Sequence, residues 1–298
     1  MRTLKVAWEI FTTAIFQFVS DGAPQNSAAL SFYTMLSLSP LLVLVLSVTT
    51  LFVSAESVEQ ELLSQMVALI GPRGAEAIQT VLVNARKSGE LWSANILGIA
   101  FLIFGATAVF VQLQNALNRI WGVQPAPEKV WLSFLATRLL SFGMALTVGF
   151  LLLVSLIASA FLSALNNTVA VQLPMEVTLL RILEAVSSFV VITVLFALLF
   201  RFVPDVVVAW RELTVGALIT ALLFTIGKEL IGYYLGRAAI ASVYGAAGSL
   251  VVLLIWIYYT ANVFFFGAEV AQAYARRFGT PIRPGRFAEM TKEREITA

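Results

Sequence analysis

From Ala238 to Ala268 the chain carries no charged residue. That run is half as long again as the roughly 20 apolar residues an α-helix needs to cross about 30 Å of hydrocarbon. Inside a bilayer every backbone N–H and C=O must be bonded within its own segment, so the run predicts a membrane-spanning helix. The stretch opens on small residues (Ser242, Gly245, Ala246, Ala247, Gly248, Ser249). Its middle is aromatic (Trp256, Tyr258, Tyr259), and Asn262, Glu269, Arg276 and Arg277 follow. A polar side chain within an apolar span is expensive, which makes Ser242, Tyr244, Asn262 and Glu269 candidates for function.

The remaining sequence has the same character. Of 298 residues 59% are hydrophobic and 12% charged, and the mean hydropathy is +0.90; soluble domains carry about a quarter charged residues. The expected fold is all-α: a polytopic six-span transmembrane helix bundle, with an N-terminal amphipathic interfacial helix and a short helical cap between spans 1 and 2. One transmembrane domain is expected over residues 1–280, then a polar, flexible cytosolic tail over 281–298. The chain has no cysteine and no histidine. This removes disulfides, thiolate catalysis, Cys-based metal sites and the commonest general base. Charges and polar residues are spread through Met1 to Asp21, so no cleavable signal is expected there.

Leu4, Trp8, Phe11, Ile15 and Phe18 recur at helical spacing, with Glu9, Thr12, Thr13 and Gln17 on other faces. This predicts a helix over 4–20, either lying on the membrane or packed against the cytosolic end of the bundle. Asp21-Gly22-Ala23-Pro24 ends it. Span 1 is expected at about 27–53, kinked at Pro40. Gln25, Asn26, Ser27, Ser31, Tyr33 and Thr34 crowd polar groups into its first turns. Between Glu56 and Glu90 a capping-box pattern, a Gly71-Pro72 turn and two amphipathic stretches predict the cap.

Span 2 falls at 92–111, with a polar exit through Gln112, Gln114, Asn115 and Asn118 to Trp121, and span 3 at 137–165. Spans 4 (178–200) and 5 (213–235) differ from the others, because the uncharged windows Ala185–Phe200 and Leu213–Gly227 are too short to cross alone. Each helix must take charges into the bilayer, Arg181 and Glu184 in span 4, Lys228 and Glu229 in span 5. Glu184 and Lys228 are expected at one depth, roughly 10 Å from the outer end at 1.5 Å per residue, and to pair there. Span 6 covers 242–272. With six spans, thirteen of the 19 Lys and Arg residues lie on the side of the termini, so the positive-inside rule puts both termini in the cytosol. Spans 1 and 6 both open on hydroxyl residues and a Tyr, a slender basis for an inverted repeat.

Chemistry is scarce. Asp205, Glu212 and Glu269 are scattered along the sequence, and no Walker-type glycine loop occurs. Neither a nuclease, a nucleic-acid partner nor an ATPase is expected, and no metal or cofactor. The polar inventory of the spans fits a pathway instead: Asn26, Tyr33, Glu184, Lys228, Glu229, Ser242, Tyr244, Asn262 and Glu269. Interhelical hydrogen bonds and ion pairs holding a bundle together would use the same residues.

Four stretches carry a resemblance. They are Asp21-Gly22 through Pro40; Ala116-Leu-Asn118-Arg-Ile-Trp121-Gly122; Phe202-Val-Pro204-Asp205 through Trp210-Arg211; and Ser242-Val-Tyr244-Gly245-Ala-Ala-Gly248-Ser249, then Trp256-Ile-Tyr258-Tyr259 and Phe266-Gly267-Ala-Glu269. In this order they resemble the YihY/virulence factor BrkB family of bacterial inner-membrane proteins, formerly labelled ribonuclease BN. The resemblance implies a six-span, multi-pass protein of the bacterial inner membrane that exports lipids or other amphiphiles. Its partners would be membrane lipids, an amphiphilic substrate and possible further copies of itself. The alternatives are the older ribonuclease label, which these residues do not support, and a structural membrane protein without transport.

Overall fold

The computed structural model describes residues 2–49, 92–126, 174–237, 248–279, 281–286 and 288–291. It also describes Leu63, Val67, Ala75, Glu76, Ile78, Gln79, Thr80 and Val83. Span 3, most of the cap, Ser242 and Tyr244 lie outside the described residues. Helix α1 (Arg2–Ser20) is followed by Asp21 and Gly22 and then by α2 (Ala23–Thr49). Gly22 has φ 69°, a backbone conformation that an L side chain resists. Pro24 falls in the first turn of α2, where its missing N–H leaves no helical bond unmade. Helix α3 (Trp92–Trp121) ends on Gly122, also at φ 69°. Then come β1 (Val123–Pro125), α4 (Pro174–Phe202), β2 (Val206–Val207), α5 (Trp210–Arg237), α6 (Gly248–Phe278), β3 (Arg283–Pro284) and β4 (Ala288–Met290).

Three described helices are long and apolar enough to cross a membrane, through Ala185–Phe202, Trp210–Ile231 and Leu250–Phe278. Each exposes large apolar side chains at i, i+4 spacing: Val186, Val190 and Val194 on α4; Leu218, Leu222, Ile226 and Leu230 on α5; Leu250, Leu254 and Tyr258 on α6. In water such stripes would drive association, whereas against lipid they cost nothing. Helices α4 and α5 run unbroken through Arg181, Glu184, Lys228 and Glu229, as the short uncharged windows require.

The chain divides into two compact units, one of residues 1–17, 117–222 and 267–298, the other of residues 18–116 and 223–266. In the first, α5 packs on α6 through small residues. A Cβ built on Gly216 would lie 2.5 Å from the Gly267 carbonyl oxygen and 2.6 Å from the Ala271 Cβ, and one on Gly267 would collide with the Thr220 hydroxyl. Gly216-xxx-Thr220 therefore faces Gly267-xxx-Ala271, the close approach that small residues four apart allow. Thr220 Oγ1 donates to the Gly216 carbonyl at 2.8 Å, so the buried hydroxyl is satisfied within its own helix.

In the second unit Tyr259 lies against Gly227 and donates from its hydroxyl to the Leu223 carbonyl at 2.9 Å. Phe224 meets Trp256 edge to face, and Phe18 meets Phe266 in the same way.

The all-α expectation needs one correction. In the first unit β1 pairs with β4 and β2 with β3, both antiparallel. These ladders lie at turns and in the stretch expected to be a flexible tail. Thr291 N–H bonds the Gly122 carbonyl and Gly285 N–H the Asp205 carbonyl, which makes Val123↔Met290 and Val206↔Pro284 the non-hydrogen-bonded pairs. By alternation Pro125↔Ala288 is another. Both prolines thus occupy positions where a ladder asks for no N–H, so sequences that look unsuited to strands pair without loss.

Candidate functional site

Helix α6 buries two polar side chains completely. Glu269 and Gln272 are both 0% exposed and lie three residues apart, so they share a face one turn apart. Around them α6 offers small residues: Ala268, Ala271 and Ala275 are buried too. Neither amide atom of Gln272 is hydrogen-bonded among the described residues. A buried amide left that way costs about 1–3 kcal/mol, so it calls for an explanation. Together the two side chains present a carboxyl and a carboxamide, able to accept and donate hydrogen bonds within an apolar span.

A second polar cluster lies in the same unit, at the helix ends. Asn118 and Asp205 bind each other twice: Asn118 Nδ2 donates to Asp205 Oδ2 at 3.0 Å, and the Asp205 N–H donates to Asn118 Oδ1 at 2.8 Å. Glu212, buried in the first turn of α5, accepts the Ala209 N–H at 2.8 Å, the reciprocal half of a cap. Arg201 donates to the Val208 carbonyl, and its guanidinium lies 5.9 Å from the centre of the Trp210 ring. That ring in turn meets Phe202 edge to face. On the surface Glu9 pairs with Arg277 at 3.0 Å, tying α1 to the end of α6.

The other expected site residues are placed as follows. Asn26 accepts from Gln112 Nε2 at 3.0 Å, an interhelical bond between α2 and α3. Tyr33 is half-buried, its ring beside Phe32. Asn262 donates to the Tyr258 carbonyl of its own helix at 2.7 Å. Lys228 lies 3.8 Å from the exposed Glu229. The side chain of Glu184 is outside the described residues, and with it the expected pair to Lys228; so are Ser242 and Tyr244. Among the described residues Glu269 is thus the expected one whose side chain is buried most deeply. Gln272 escaped the sequence reading because an uncharged amide among alanines does not interrupt an apolar run.

Comparison with known proteins identifies the family. The family model described as virulence factor BrkB matches residues 14–290. The chain belongs to this family. Similar proteins are the UPF0761 membrane proteins of Ralstonia nicotianae (28% identical; 84% of this chain, 55% of that one) and Verminephrobacter eiseniae (30%; 85% and 59%). That of Halorhodospira halophila is 29% identical over 90% and 58% of the two chains. The chain spans between half and two thirds of the length of these relatives. No solved structure matches it. As a BrkB-family member with several apolar helices, it is a membrane protein.

Proposed function

We propose that this BrkB-family protein is a six-span transporter of the bacterial inner membrane, both termini cytosolic, that moves a lipid or another amphiphile and catalyses no covalent step. Its partners are the membrane lipids and that amphiphile. The observation that carries the reading is the complete burial of Glu269 and Gln272 in a helix that, further toward its N-terminal end, exposes Leu250, Leu254 and Tyr258. An intramembrane polar pair facing the protein interior is expensive to retain for packing alone, and a polar head travelling past it would use both hydrogen-bonding groups. At 1.5 Å per residue Glu269 lies roughly 14 Å from the α6 end at Phe278, within reach of a headgroup entering from that side.

Helix α1 fits the same reading as an interfacial helix. Its ion pair to Arg277 puts it beside the end of a spanning helix, and its outer face carries exposed Trp8, Phe11, Phe16 and Val19. The test is transbilayer movement of fluorescent phospholipids in proteoliposomes. The intact chain is expected to accelerate it, and Glu269→Gln to slow it about tenfold or more, the effect of a lost 1.4 kcal/mol interaction. Equal rates with and without protein, across zwitterionic and anionic lipids, would contradict the proposal.

A further inference from the structure

Beyond α6 the chain turns back across the ends of three other helices. It turns at Gly279, where a Cβ would come within 2.6 Å of both the Ala275 carbonyl oxygen and Glu212 Oε1. The segment then pairs as β3 with β2, between α4 and α5, and as β4 with β1, directly after α3. Gly285 N–H donates to the Asp205 carbonyl at 2.8 Å, and Thr291 N–H to the Gly122 carbonyl at 2.9 Å. Gln124 Nε2 donates to Glu289 Oε1 at 2.9 Å. Asp205 stands at the crossing: its carbonyl holds the tail, while its N–H and carboxylate hold Asn118 at the end of α3.

We propose that the segment from Gly279 to Thr291 is an intramolecular clamp that fixes the ends of α3, α4, α5 and α6 as one block, with Asp205 as its central positioning residue. Two features make it a permanent clamp instead of a releasable latch. The strands it pairs with carry buried apolar side chains, Val123 opposite Met290 and Val206 opposite Pro284, whose surroundings detachment would open. Asp205 also has no spare backbone group: both its N–H and its C=O are committed, one to α3 and one to the tail, so releasing either leaves a polar group to be satisfied afresh. The steric fit is close as well, since a Cβ on Gly285 would sit 3.0 Å from the Asp205 carbonyl oxygen. The inference does not depend on what the protein transports.

Because the chain has no cysteine, single thiols test the clamp cleanly. Val123→Cys is buried opposite Met290 of β4 and should react with a small maleimide at least about tenfold faster when Gly285→Val is added to push the strap away, as expected where local opening governs exposure. A second variant guards against misfolding of the first. Val123→Cys with Met290→Cys joins a non-hydrogen-bonded pair, whose Cα atoms lie about 4.5 Å apart, inside the range a disulfide spans. It should oxidise within one chain, seen as a mobility shift on a gel, and raise the melting temperature in detergent. Rapid labelling of Val123→Cys in the otherwise unchanged chain, or failure of the double variant to cross-link, would overturn the clamp.

Discussion

Gly216 and Gly267 show how single residues set the packing of this protein. Each lacks the Cβ that would strike the facing helix, so Gly216→Val should overpack the α5–α6 crossing and cost about 1–3 kcal/mol. Leu222→Ala, on the exposed stripe of the same helix, should stay within about 0.5 kcal/mol. Melting of the two purified variants in one detergent checks the contrast; equal melting temperatures would mean that the helices do not meet through these glycines. Glu269 was legible in the sequence because it ends an uncharged run, but that its side chain is buried could not be read from that run. The Asn118–Asp205 pair was legible only as two separate motifs. The bonds cross 87 positions of sequence, and nothing local in either motif says that they meet.

Elements were legible to the extent that hydrophobic period and charge spacing control them. Helices α4 and α5 had to run through their charges because shorter helices could not have crossed, and they do. The helical period of α1 was equally clear, but period alone cannot say which of two apolar faces packs on protein. Ala14 is buried and Val6 and Ile10 are partly covered, while Trp8, Phe11 and Ile15 remain exposed with Phe16 and Val19. On the proposed reading the outward face is the one that meets lipid. Spin labels at Phe16→Cys and Val19→Cys should be relaxed more by oxygen than by a polar nickel chelate, and one at Thr13→Cys the reverse. Greater chelate access at Phe16 would place α1 in water. The four strands were not legible, since two- and three-residue ladders containing proline carry no periodic signal.

At the scale of the molecule, composition alone assigned the chain to a membrane, and the exposed stripes on three helices agree with that assignment. The proposed function rests on a narrower contrast between two helices. Helix α5 turns Leu218, Leu222, Ile226 and Leu230 outward, whereas α6 keeps Glu269 and Gln272 wholly inside. Any protein in a bilayer is touched by lipid on its outer stripes; a lipid transporter must also admit lipid to its interior. The most direct test is photolabelling in native-like membranes with a phospholipid carrying a photoactivatable group at its head, followed by mapping of the adducts by mass spectrometry. The account predicts adducts on the α6 segment around Glu269 and Gln272 as well as on the α5 stripe, with the interior adducts reduced in Glu269→Gln. Adducts confined to the outer stripes, unchanged by that substitution, would contradict it.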